Sequence, residues 1–213
     1  MHPMYQMPDG DSLRQGDILA VELVRERLRG HLDYFAEKPY FVAYCVLSQT
    51  CDLQKDRHVN YVTLAVVREI TDAYSRHVPT TTEKTRSDLK SIISHNWNKR
   101  AYFYLHPNLD AKLQTASVAD LRVSVSLSLA PGAENHYDAL LEARRASMTE
   151  GYAAALGAMA SQVYGRVATT DWDDLNLQPQ SSGEYVENLW MEIKDKKMAL
   201  QNEHTLKPGV ETD

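Results

Sequence analysis

One apolar run constrains this chain more than anything else in it. Tyr40-Phe41-Val42-Ala43-Tyr44-Cys45-Val46-Leu47 stops abruptly at the small and polar residues Ser48-Gln49-Thr50-Cys51-Asp52. The run is short, β-branched and aromatic, and Pro39 precedes it. Those features read as a strand buried on both faces rather than as a helix. Tyr61-Val62-Thr63-Leu64-Ala65-Val66-Val67 reads as a second buried strand. The connection between the two, residues 53–60, is polar, so the pair is expected to be antiparallel.

The rest of the chain is read around this pair. Residues 1–12 hold two prolines and Asp9-Gly10 and are expected to be a flexible arm. Order begins at residue 13. Gly16-Asp17 makes a turn, and Ile18 to Val24 is apolar enough for a first strand. The charged stretch 25–38 reads as a solvated connection or hairpin. From Arg68 to Thr85 the apolar pattern fades. Leu89, Ile92, Ile93 and Trp97 recur at helical spacing behind Ser87 or Asp88 as a cap. Tyr102-Phe103-Tyr104-Leu105 reads as a strand, and residues 121–129 alternate strictly, as a strand with one wet face does. Residues 137–145 fit a short helix or a last strand equally well. Ser147 and Glu150 have the spacing of a capping box before a helical stripe of Tyr152, Ala155, Leu156, Met159, Val163 and Tyr164. Strands first and helices last imply an α+β fold, a small β-barrel with an inserted helix and C-terminal helices. The barrel domain is expected over 13–167. A linker, an amphipathic helix carrying Tyr185, Leu189, Trp190 and Ile193, and a disordered tail fill 168–213.

Composition bounds the function. With 213 residues, 43% hydrophobic and 24% charged, the chain suits one domain with an extension. No stretch approaches the roughly 18 apolar residues of a membrane span. The start, Met-His-Pro-Met-Tyr-Gln, lacks the basic and apolar regions of a secretion signal, so a cytoplasmic location with both cysteines reduced is expected. A net charge of −6 argues against general nucleic-acid binding, because neutralising phosphates needs clustered Lys and Arg.

Candidate chemistry concentrates in the loop after the first buried strand, where rigid support meets solvent. Gln49, Thr50, Cys51 and Asp52 form that loop, with Asp17 expected close by at the end of a neighbouring strand. Cys51 is a candidate nucleophile or redox sensor, with His58, His77 and His95 as candidate bases. The alternative reading makes Ser48, Thr50 and Asp52 turn-formers and Cys51 a small buried hydrophobe. His95-Asn96-Trp97-Asn98-Lys99-Arg100 mixes an aromatic with amides and cations. That mix suits a base or phosphate, or else a helix end with Trp97 docked on the core. The lone histidines at 2, 31, 106, 136 and 204 read as surface residues, as does His77 where it is not a base for Cys51. GxxxxGK[ST], GxGxxG and HExxH are absent, and Cys-x5-Cys is not a zinc spacing, so no cofactor and no metal is expected.

Two resemblances follow from these residues. Gly16-Asp17-Ile18, Ser48-Gln49-Thr50-Cys51-Asp52-Leu53, Tyr102-Phe103-Tyr104-Leu105 and Tyr164-Gly165-Arg166-Val167 are similar to an uncharacterised group of bacterial proteins, over about residues 13–167. The order of a Gly-Asp-Ile strand, a charged connection, Lys38-Pro39 and a buried strand ending in Leu-Ser resembles the MazF/PemK toxin fold. That resemblance implies an SH3-like barrel and metal-independent cleavage of single-stranded RNA. Lys38 stands where that family carries its essential arginine. Three functional expectations result. The first is a non-enzymatic binding or regulatory module of a bacterial stress or defence system. It would recognise a protein or nucleic acid, with the helix over 184–200 docking on the core, a partner or a second copy. The second is a ribonuclease of the toxin type, using Lys38, Arg68, Thr50, Asp52 and His58. The third is cysteine chemistry at Cys51.

Overall fold

Successive residues of the apolar run enter different cores. The computed structural model of the protein describes residues 2–29, 32–53, 61–77, 83–96, 100–129, 136–164 and 183–205. In it the run forms strand β3, Phe41–Val46. Ala43 and Cys45 join one apolar cluster, Tyr44 and Val46 another. The same division holds in β2 (Asp17–Ala20), with Ile18 on one side and Leu19 on the other. It holds again in β4 (Tyr61–Glu69), where Ala65 and Val67 oppose Leu64 and Val66. A pleated strand turns alternate side chains to opposite faces, so these strands lie in a sheet covered on both sides. The expected burial on both faces is therefore present, and β3 and β4 pair antiparallel as expected.

The remaining strands are β1 (Tyr5–Gln6), β5 (Tyr102–Leu105), β6 (Ser117–Ser128) and β7 (Arg144–Met148). Among the described residues seven strands form one sheet in the order β1-β7-β2-β3-β4-β6-β5. Every pairing is antiparallel. Register shifts interrupt β2/β7, β3/β4 and β4/β6. Bulges of this kind bend strands and increase their twist, and the sheet curls into a half-barrel. The fold is α+β.

Helices cover the two faces. Val21, Val24 and Leu28 of α1 (Val21–Leu28), Ala36 of α2 (Asp33–Glu37), and Leu140 and Ala143 of α5 (His136–Ala143) fill the Tyr44 side. Four helices supply the Cys45 side: α3 (Ile70–His77), α4 (Glu83–Ile93), α6 (Glu150–Tyr164) and α7 (Gly183–Thr205).

Several local expectations are corrected. The first strand ends at Ala20, and residues expected to extend it begin α1. The spacing of Val21, Val24 and Leu28 buries one stripe while Glu22, Glu26 and Arg27 stay in water. The charges had masked that stripe, so stretch 25–38 is largely two helices rather than a hairpin. Likewise Ile70, Ala73 and Tyr74 make α3 in a stretch whose apolar pattern reads as fading. Residues 136–148 hold both a helix and a strand. Ser147 lies in β7, with its hydroxyl given to Asp17, so it does not cap α6. Helices thus interleave with strands rather than follow them. Residues 5–6 of the expected arm pair with β7. Helix α7 begins at Gly183, the last residue of the expected linker, and runs to Thr205, into the expected disordered tail; the rest of the linker and of the tail lies outside the described residues.

Candidate functional site

The two segments singled out in the sequence meet. Because β2 and β3 are antiparallel neighbours, the turn entering β2 lies beside the loop leaving β3. The Gly16 amide donates to the Val46 carbonyl at 2.9 Å. Gly16 has φ +83°, and a Cβ there would lie 2.9 Å from the Met148 Cβ, so this position requires glycine. The Gln15 amide donates to the Thr50 hydroxyl at 3.1 Å, and its side-chain Nε2 donates to the Leu47 carbonyl at 2.7 Å. Within the loop, the Asp52 amide donates to the Gln49 carbonyl and the Leu53 amide to the Thr50 carbonyl. The Ser48 hydroxyl accepts the Thr63 amide at 2.9 Å. The Tyr137 hydroxyl accepts the Leu13 amide and donates to the Leu53 carbonyl. Leu53 is buried, and the loop is thereby pinned at both ends.

Gln49, Cys51 and Asp52 remain exposed on this pinned turn. The Cys51 thiol lies 3.6 Å from Gln49 Oε1 and 3.7 Å from Asp52 Oδ1. Neither neighbour is a cation or an imidazole, the partners that activate a thiol. Cys45, in contrast, is fully buried, and burial pushes its thiol far up.

Asp17 starts β2 beside the loop but turns inward. Its carboxylate accepts the Ser147 hydroxyl at 2.5 Å and the Arg14 amide at 2.7 Å, with Arg144 at 3.7 Å. Burial raises its pKa against the pull of those partners. Arg144 also donates to the carbonyls of Gly10 and Ser12, which ties residues 9–12 down. Asp17 is thus a foundation of the site rather than part of its surface.

A cleft of about 650 Å³ opens above this foundation, lined by Gln6, Asp9, Asp11, Gln15, Thr50 and Glu150 among others. A smaller groove of about 220 Å³ lies next to it, with Ser48, Gln49, Thr63, Ser161 and Tyr164 on its walls. Gln15 lines both. Helix α6 closes onto that side chain at Gly157, where a Cβ would stand 2.6 Å from Gln15 Oε1. The groove is neutral and hydroxyl-rich, while Asp9, Asp11 and Glu150 give the cleft an acidic rim around Arg14, itself paired with Asp9 at 2.8 Å.

Other sequence candidates lie elsewhere. Arg68 pairs with Phe41 across the sheet, at the opposite end of β3 from the loop. Five steps of about 3.3 Å separate the two ends, roughly 17 Å. Arg68 is buried and bonded to Asp120 at 2.5 Å and to the Tyr102 hydroxyl at 3.1 Å. Lys38 sits at that same far end, 5.0 Å over the Tyr34 ring. His58 and Trp97 lie outside the described residues. His95 is packed on Phe103 and Tyr152, away from any thiol contact. His2 and His106, expected on the surface, are half-buried and stack on each other.

Residue reading missed Gln6, Asp11, Gln15, Gly157 and Glu150. Only Gln15 carried a signal, since it directly precedes the Gly16-Asp17-Ile18 turn.

Among the described residues no group of three His, Cys, Asp or Glu side chains is arranged to hold a metal ion. No helix among them is long and apolar enough to cross a membrane. Neither protein-family models, curated proteins nor solved structures yield a match to the chain.

Proposed function

We propose that the protein is a binding module that recognises a basic segment of a partner protein through the loop at 48–53 and the cleft beside it. The observation that carries this reading is the joining of the two motif segments. Their backbone groups are spent on one another, while Thr50 of the fixed turn lines the cleft, Gln49 lines the adjoining groove, and Cys51 and Asp52 stand exposed on the same turn. A rigid turn presenting polar side chains beside a cavity suits recognition with little loss of conformational freedom. The acidic rim favours a cationic peptide over a phosphate backbone.

Catalysis of the toxin type would need Lys38 and Arg68 to join the loop, and they stand at the far end of β3. Thiol chemistry would need an activating cation or base beside Cys51. Within this reading the central strands form an SH3-like barrel enlarged by helices. Consecutive antiparallel pairing of β2, β3, β4, β6 and β5, together with the curl, supports that. A role in a bacterial stress or defence system rests on the resemblance to the toxin fold. A cytoplasmic setting fits the two free cysteines.

The test is titration of a fluorescent peptide of alternating lysine and glycine against the purified protein. The expected result is saturable binding, weakened at least about tenfold, or 1.4 kcal/mol, by Asp11→Lys with Glu150→Lys. Equal binding of a glutamate–glycine peptide would overturn the reading. So would cleavage of single-stranded RNA in the presence of EDTA.

A further inference from the structure

Histidines pack beside the first strand of the sheet. Strand β1 pairs with β7 over only two residues. Such a short ladder holds little by itself. Yet Met4 is fully buried and Tyr5 nearly so. The Thr149 amide donates to the Met4 carbonyl at 2.9 Å, and the Tyr5 hydroxyl to the His106 carbonyl at 2.7 Å. A further contact is between rings. The imidazole of His2 stacks on that of His106 with 3.8 Å between centroids and 22° between planes.

The hydrogen bonds around these rings suit their neutral forms. Nδ1 of His2 accepts the Met4 amide at 3.2 Å, so that nitrogen carries no proton. Nδ1 of His106 lies 3.2 Å from the Tyr104 hydroxyl. His95 Nε2 lies 2.9 Å from the Tyr104 carbonyl, an acceptor, so Nε2 is the protonated nitrogen there. His95 Nδ1 is left buried with no partner. Burial lowers all three rings, His95 and His106 to about 4.

Among the described residues, Tyr5 from β1, Tyr104 from β5 and Tyr152 from α6 face the cluster, and the charge of the α-amino group lowers His2. The imidazoles face one another. A charge on His2 bears on both other rings and lowers them further.

We infer that the stacked pair His2–His106, with His95 beside it, is an acid-released clip for the N-terminal strand. Protonation puts two like charges in van der Waals contact and costs the Met4 amide its acceptor. Strand β1 then leaves β7, uncovering Met4, Tyr5 and the outer edge of β7. The sign follows from linkage. The rings bind protons more weakly when the strand is docked than at their ordinary value of 6.5. Docking is therefore complete above that value and weakens as the pH falls towards 4. Gln6 would leave the wall of the cleft with the strand, but the release stands whether or not the cleft binds a peptide.

Amide exchange of Thr149 reads the docking directly, because its amide bonds to Met4. The full chain, untagged at its N-terminus, is compared at pH 7 and pH 5. Protection of Thr149 is expected to fall at least about tenfold, since each imidazole contributes up to about tenfold per pH unit in this window. Val66, in the central strand β4, is expected to keep its protection. The double variant His2→Phe with His106→Phe keeps two stacked rings without protons and should lose most of the difference in Thr149 protection between the two pH values, with only His95 left to titrate. The single variant His2→Phe, which removes one charge, should move the midpoint of release to lower pH. Unchanged wild-type protection at pH 5 overturns the inference. So does equal loss in the double variant, or an unmoved midpoint in the single one.

Discussion

Asp17 is a buried acid whose partners offset the cost of burial only in part. Its carboxylate has the Ser147 hydroxyl, the Arg14 amide and the Arg144 guanidinium around it, yet burial still raises its pKa from 3.8. An acid whose folded pKa is raised favours the folded state most when protonated. Its contribution to stability therefore falls as pH rises through and above the ordinary carboxylate range. Wild type should accordingly lose stability relative to Asp17→Asn between pH 4 and pH 7, measured by urea unfolding at each pH. Asp17→Ala is expected to cost about 3 kcal/mol or more, because it leaves the Arg144 guanidinium buried without its carboxylate. A pH-independent difference between wild type and the asparagine variant would contradict the burial argument. The turn at Gly16-Asp17 was readable in the sequence. The reason for its aspartate was not, since Ser147 lies 130 positions away.

At the scale of elements, amphipathic stripes decided what was legible. The buried strands announced themselves because a sheet covered on both faces produces continuous apolar runs. Helices α1 and α3 did not, because each buries only a narrow stripe within charged sequence. The C-terminal helix was readable as amphipathic, but its partner was not. In the structure α7 lays Leu189, Trp190 and Ile193 into the same cluster as Tyr74 of α3 and Leu89 of α4. Arg86–Glu187 and Lys196–Asp72 bridge the edges of this contact. The half-exposed Arg86–Glu187 pair adds at most about 1 kcal/mol, and the Lys196 ammonium facing the buried Asp72 remains partly in water, so apolar burial holds the helix. Trp190→Ala is therefore expected to destabilise the whole protein by about 3–5 kcal/mol in urea unfolding. A cost below about 1 kcal/mol would mean that this helix spends its apolar face elsewhere.

At the scale of the molecule, net charge and sheet burial act together. The sheet is enclosed by helices on both faces, so polar recognition is left to the ends of strands, where the loop at 48–53 and the cleft lie. With a net charge of −6 and an acidic rim, peptide binding there should weaken steeply with salt. Charge screening shortens from about 10 Å at 0.1 M to about 3 Å at 1 M. Calorimetric titration of the lysine–glycine peptide across that range measures the effect, and salt-independent affinity would place the binding energy in apolar contacts instead. By itself the amino-acid order determined the two buried strands, their antiparallel pairing and the polar loop after β3, while the choice between a buried and an exposed Cys51 fell to the structure, which exposes it. Those features follow from local periodicity and from turns a few residues long. Tertiary structure alone decided that the Gly16 turn supports that loop and that Arg68 is locked to Asp120 away from it. It alone brought His2 onto His106 and Glu150 to the cleft. Each of these depends on strand order and register across distant parts of the chain, which no local pattern encodes.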